Sequence, residues 1–153
     1  LYWGKDGKPH TGELIVNKLI AKDVQELFYR LYASAYSIER VELIDTYGRN
    51  DEVSMAKNNT SCFNARKVKG TDEWSMHAYG LAIDINPLYN PYVAADGTVL
   101  PISGEKYADR TLEFDMKIDE SNLAYKIFKE LGFEWGGSWS TVKDYQHFEK
   151  KVE

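Results

Sequence analysis

Residues 75–86 read Ser-Met-His-Ala-Tyr-Gly-Leu-Ala-Ile-Asp-Ile-Asn. The second half, Leu81–Asn86, is the strongest strand candidate in the chain. Side chains alternate along a strand. Leu81, Ile83 and Ile85 therefore share one face, and Ala82, Asp84 and Asn86 share the other. One face is fully apolar and the opposite one carries an acid beside a small residue. Gly80 permits a tight turn or a close backbone approach just before the strand. Such a turn folds His77 back beside Asp84.

Working outward, His10–Asn17 reads as a first strand. Ala21–Tyr36 reads as a helix, because Val24, Leu27, Phe28, Leu31, Tyr32 and Ala35 recur at three- and four-residue steps. Arg40–Tyr47 reads as a second strand, Asp51–Lys57 as a short helical turn capped by Asn50, and Thr60–Arg66 as extended. Residues 87–110 hold three of the four prolines, together with Gly97 and Gly104. They form a long ordered loop or a small hairpin. Asp119–Leu131 reads as a helix stopped by Gly132, residues 135–139 as a turn, and Tyr145–Lys150 as a last short strand. Helices and strands are interspersed without a repeated βαβ rhythm. The expected class is α+β, a single small domain with a mostly antiparallel sheet flanked by helices. Residues 1–9 read as a polar approach segment and residues 10–153 as the domain.

Composition narrows the chemistry. The 153 residues are 43% hydrophobic and 28% charged, which describes a globular chain. The formal net charge is -5, with 19 basic and 24 acidic residues. No basic stripe is present, so nucleic acid is not an expected partner. No apolar run reaches the ~18–20 residues of a membrane span. The first residues lack the basic and apolar regions of a signal peptide. One cysteine, Cys62, and three histidines, His10, His77 and His147, exclude an internal disulfide and the Cys₄, Cys₃His and Cys₂His₂ zinc sites. Any metal site must combine one or two histidines with carboxylates.

The last strand supplies the second half of such a site. On Tyr145–Lys150, alternation sets His147 on one face with Tyr145 and Glu149, and Asp144 stands three residues before His147. Two histidines and one aspartate form a three-ligand zinc site with an open position, the pattern of catalytic zinc. Asp144 beside the metal is a candidate to accept a proton from water and return it to a leaving amine. The bland alternative is a set of loop polar residues around a satisfied core histidine.

These residues resemble the zinc D-alanyl-D-alanine carboxypeptidase family, which includes VanY-type carboxypeptidases and the L-alanyl-D-glutamate endopeptidases of bacteria and phages. Ser75, His77, Gly80, Ala82, Asp84, Asp144 and His147 carry the resemblance, and it extends through residues 59–66 and 84–87. The resemblance implies His77, Asp84 and His147 as zinc ligands, Asp144 as catalytic acid/base, and Arg66 as the group that holds the substrate carbonyl or carboxylate. It further implies a hedgehog/DD-peptidase-like fold, peptidoglycan stem peptides as substrate, and an extracellular or cell-wall-associated bacterial protein, expected as a monomer. Ser75, Trp74, Tyr79, Trp139 and Tyr145 are the candidate substrate contacts. Many carboxypeptidases of the family carry Glu where this chain has Asp144, and the aspartate form looks more like the endopeptidase branch. A hedgehog-like zinc-holding binding module is the rival class. Ser140-Thr-Val-Lys143 matches a serine-hydrolase Ser-x-x-Lys but lacks that motif's partners.

Overall fold

The computed structural model describes residues 1–153. Its chain begins in a hairpin, with β1 (Tyr2–Trp3) antiparallel to β2 (Pro9–His10). Tyr2 packs against the core, so the polar segment 1–9 is folded onto the domain. The expected strand 10–17 keeps only its first residue in a ladder. Beyond it, Glu13 N donates to Val41 O, Phe63 N donates to Ile15 O, and Asn17 N donates to Gly80 O. The segment touches three different neighbours by one bond each, so no ladder forms.

Helix α1 (Ala21–Ala33) buries Val24, Leu27 and Leu31. It stops three residues before the expected end, because Ala35 turns left-handed (φ 51). Tyr36 N donating to Leu31 O and Ala35 N donating to Tyr32 O close the helix in a Schellman-like pattern. Strand β3 (Arg40–Val41) is likewise only the first part of the expected 40–47 strand. A 3₁₀ turn, Ile44–Tyr47, takes the rest and buries Ile44. Helix α2 (Asp51–Ala56) has the expected cap, with Asn50 Oδ1 accepting from Val53 N at 3.1 Å. Strand β4 (Asn59–Thr60) runs parallel to β3.

After β4 the chain stays extended. It bridges to Asp84 at Ser61, then runs antiparallel to residues 74–77: Asn64 N donates to His77 O and Ser75 N donates to Arg66 O. A 3₁₀ turn, Met76–Tyr79, leads through Gly80 into β5 (Ala82–Asp84). The 87–110 excursion holds the hairpin of β6 (Tyr92–Val93) and β7 (Val99–Leu100), followed by a 3₁₀ stretch, Ile102–Tyr107. Helix α3 (Leu123–Glu130) starts later than the expected Asp119, because Asn122 Oδ1 caps Ala124 N at 2.8 Å. Gly132 (φ 86) ends it as expected. Strands β8 (Glu134–Trp135), β9 (Lys143–Asp144) and β10 (His147–Glu149) complete the chain.

The sheet expected as one unit is divided into four short ones, and every pairing except β3–β4 is antiparallel. The architecture is a small α+β fold. In the sheet ordered β5-β10-β8, Phe148 opposes Ile83 and His147 opposes Asp84. Alternation then sends Phe148 and Ile83 into the core and His147 and Asp84 the other way. Phe148 stacks on Phe128 of α3 at 3.9 Å, with the rings 5° from parallel. This packing anchors the inner side of the strand that presents His147.

Candidate metal centre

Three elements bring the polar residues together. Gly80 (φ 66) ends the Met76–Tyr79 turn, and a Cβ there would lie 2.8 Å from Asn17 N. Glycine is the residue that fits that bend. The bend sets His77 Nε2 3.1 Å from Asp84 Oδ2. The β5–β10 register sets His147 Nδ1 3.2 Å from Asp84 Oδ1 and 3.1 Å from His77 Nε2. All three residues are buried, and one potential ligand atom from each lies within 4.8 Å of the others. The structure thus joins the three residues read as a ligand set.

The outer nitrogens are also held. His77 Nδ1 donates to the Cys62 carbonyl at 2.7 Å, which leaves Nε2 turned toward Asp84. His147 Nε2 lies 2.8 Å from Glu149 Oε2. The His77 and His147 charges and hydrogen bonds hold the Asp84 carboxyl well below the usual carboxylate range, against the desolvation that opposes them. In His147, hydrogen bonds to Asp84 and Glu149 outweigh burial and push the imidazole up to about 10.

Asp144 closes one side, with Oδ2 3.9 Å from His147 Nδ1 and its side chain 15% exposed. Burial pushes its carboxyl up to about 7, opposed by His147 and reinforced by the Asp84 charge. The Arg66 charge draws the same carboxyl down. The Arg66 Nε stands 3.5 Å from Asp51 Oδ2. Asp144 Oδ1, Arg66 Nε and Ser75 Oγ are all buried without a hydrogen-bond partner. Buried polar atoms are normally paired. The open Asp144 oxygen beside the cluster suits a polar ligand.

The remaining candidates divide. Trp139 lies against the His147 ring at 5.2 Å. Trp74 and Tyr79 are about half exposed, and Lys67 Nζ sits 3.9 Å over the Trp74 ring. Tyr145 is engaged elsewhere: Arg110 lies over its ring at 4.4 Å and its carbonyl accepts from Trp135 Nε1. Sequence reasoning gave no role to Glu149, Asp51, the Cys62 carbonyl or Gly136. Of these, only Glu149 had a local signal, since alternation sets it on the His147 face.

The donor set fits a divalent ion that takes nitrogen and oxygen ligands: two imidazoles with fixed tautomers, one carboxylate, and an unpartnered acid alongside. Over 82 residues the chain is 34% identical to the peptidoglycan L-alanyl-D-glutamate endopeptidase CwlK of Bacillus subtilis (strain 168). That match takes in 49% of this chain and 38% of the relative, so the chain spans well under half of the relative's length. No solved structure gives a significant match. A family profile described as D-alanyl-D-alanine carboxypeptidase matches residues 69–150. Its span covers more than half of the sequence and holds His77, Asp84, Asp144 and His147 together, and on that ground the chain belongs to the D-alanyl-D-alanine carboxypeptidase family.

Proposed function

We propose that the chain is a zinc metallopeptidase that hydrolyses peptide bonds in peptidoglycan stem peptides, with residues 10–153 as the peptidase domain. The observation that carries the reading is the buried His77–Asp84–His147 cluster with the unpartnered Asp144 oxygen beside it. His77 Nε2, Asp84 and His147 Nδ1 would hold the metal. When bound, zinc supplies Lewis acidity that polarises a carbonyl and acidifies water.

The chain's own groups do the rest. Asp144 Oδ1, which has no other partner, takes a proton from the attacking water and returns it to the leaving amine. Arg66, whose Nε makes no hydrogen bond and stands 3.5 Å from Asp51 Oδ2, holds the substrate's carbonyl or carboxylate oxygen as charge develops there. The free Ser75 hydroxyl orients the peptide backbone, and Trp139 walls the cleft beside His147. Release of terminal D-alanine is the first reading. Cleavage after L-alanine is the second, favoured by Asp144 and by the named activity of the Bacillus relative. Such a substrate implies work at the bacterial cell wall, and no helix of the chain is long and apolar enough to cross a membrane.

Mass spectrometry of defined stem peptides and of peptidoglycan treated with zinc-loaded protein tests this. Wild type should release D-alanine or new amino termini, and Asp144→Ala should be inactive while keeping its zinc. His77→Ala and His147→Ala should lose stoichiometric zinc. Wild-type protein that releases neither product overturns the proposal, and loss of zinc from Asp144→Ala removes the role given to Asp144.

A further inference from the structure

His147 is gripped from its far side. Nδ1 faces Asp84 and His77, whereas Nε2, across the ring, meets Glu149 Oε2 at 2.8 Å. Residues 147 and 149 lie two apart on one strand, so both point to the same face. Strand β10 is the central strand of its sheet, and Glu149 is paired with Ala82 on one side and Glu134 on the other. The backbone beneath Glu149 is therefore fixed, and its side chain is only 13% exposed.

An ionised carboxylate accepts hydrogen bonds and donates none. The Nε2 that meets it must carry the proton, and in a neutral ligating imidazole the bare nitrogen is then Nδ1. Resting on the zinc reading above, we infer that Glu149 is a positioning residue for the metal, fixing His147 in the tautomer that presents Nδ1. Cys62 O performs the reciprocal task on His77: it takes the Nδ1 proton and leaves Nε2 facing inward. The two histidines thus present opposite nitrogens, one set by a backbone carbonyl and the other by a side chain that mutation can remove. The imidazole ring stands between the Glu149 carboxylate and Asp84, so Glu149 acts on the cluster through His147.

Competition against a chromophoric chelator measures the effect without any catalytic assay. Glu149→Ala weakens zinc binding by about 10–100-fold, as loss of such outer partners does in other zinc sites. Glu149→Gln keeps an acceptor oxygen of the same reach and falls between the two, which also covers the case in which the alanine variant does not fold. Long-range ¹H–¹⁵N spectra of zinc-loaded wild type show His147 protonated at Nε2 and ligating through Nδ1. Zinc affinity of a folded Glu149 variant within twofold of wild type, or a His147 ligating through Nε2, overturns the positioning role alone. Wild-type protein that binds no zinc overturns the metal reading and this role with it.

Discussion

Gly136 shows how little room the site leaves. A Cβ built there would lie 2.6 Å from the Asp144 carbonyl oxygen, 2.8 Å from Asp144 Cβ and 3.2 Å from His147 Cβ. All three neighbours are a backbone oxygen or a first side-chain carbon, so none can swing aside. Gly136→Ala must displace Asp144 relative to His147. Misplacement of about 1 Å costs on the order of 100-fold in rate, so kcat/KM should fall by about that factor while circular dichroism stays native. Unchanged kinetics would falsify the claim that this glycine spaces the site. The clustering of His77, Asp84 and His147 was legible in the sequence because each lies in a short stretch whose alternation or turn can be read locally. Asp51, the Cys62 carbonyl and Gly136 were not, since their partners lie 15 residues away (Asp51 with Arg66, Cys62 with His77) or across a join between strands.

Among the elements, the 87–118 excursion depends on a polar clamp. Arg110 donates to the carbonyls of Tyr89, Tyr107 and Ile118 and to Asn90 Oδ1. Asn90 Nδ2 in turn donates to the carbonyls of Asn86 and Met116. Arg110→Ala leaves several part-buried acceptors unmet, at roughly 1–3 kcal/mol each where water does not reach them. A net loss of about 3 kcal/mol corresponds to a Tm drop of roughly 6–12 °C in a domain of this size. Arg110→Lys should not rescue it, because an ammonium lacks the guanidinium fork. Calorimetry on the two variants decides; a drop under 2 °C in Arg110→Ala would dismiss the clamp.

The turn before α3 carries a pH-dependent share of stability. Hydrogen bonds from the Ser121 hydroxyl and backbone N–H hold the Asp119 carboxyl below its ordinary value. A carboxylate more acidic in the folded than the unfolded state adds stability above its unfolded pKa, near 4, and loses it as pH falls through the folded one. Asp119→Asn should therefore lower Tm at pH 6 and narrow its gap to wild type at pH 3. An equal gap at both pH values contradicts this. Elements with a local signature were readable: α1 by its apolar stripe, α2 by Asn50, the end of α3 by Gly132. The strands expected at 10–17 and 40–47 were misjudged, because β-branched runs do not reveal whether a partner strand is long enough to pair with. The α1 terminus was missed because an alanine, not a glycine, takes the left-handed turn.

For the whole molecule, interspersed helices and strands announced the α+β class, while the division into four short sheets depends on distant pairings that no local pattern encodes. The same distances give the proposed metal centre a mechanical meaning. Asp84 and His147 are 63 residues apart, and His77 and His147 are 70 apart. An ion held by all three would fasten the two ends of that span, as a disulfide fastens a loop, in a chain with one cysteine. Unlike a disulfide, the fastening opens by dissociation. A ligand bound only to the native state at 1,000 times its Kd adds about 4 kcal/mol, so a chelator should lower Tm by roughly 8–16 °C and zinc should restore it. A single protease cut between residues 85 and 146 should then leave two fragments that co-elute in gel filtration with zinc and separate when it is chelated. Fragments that separate with zinc present, or stay joined without it, would show that packing alone, centred on Phe128 and Phe148, governs whether the halves stay together.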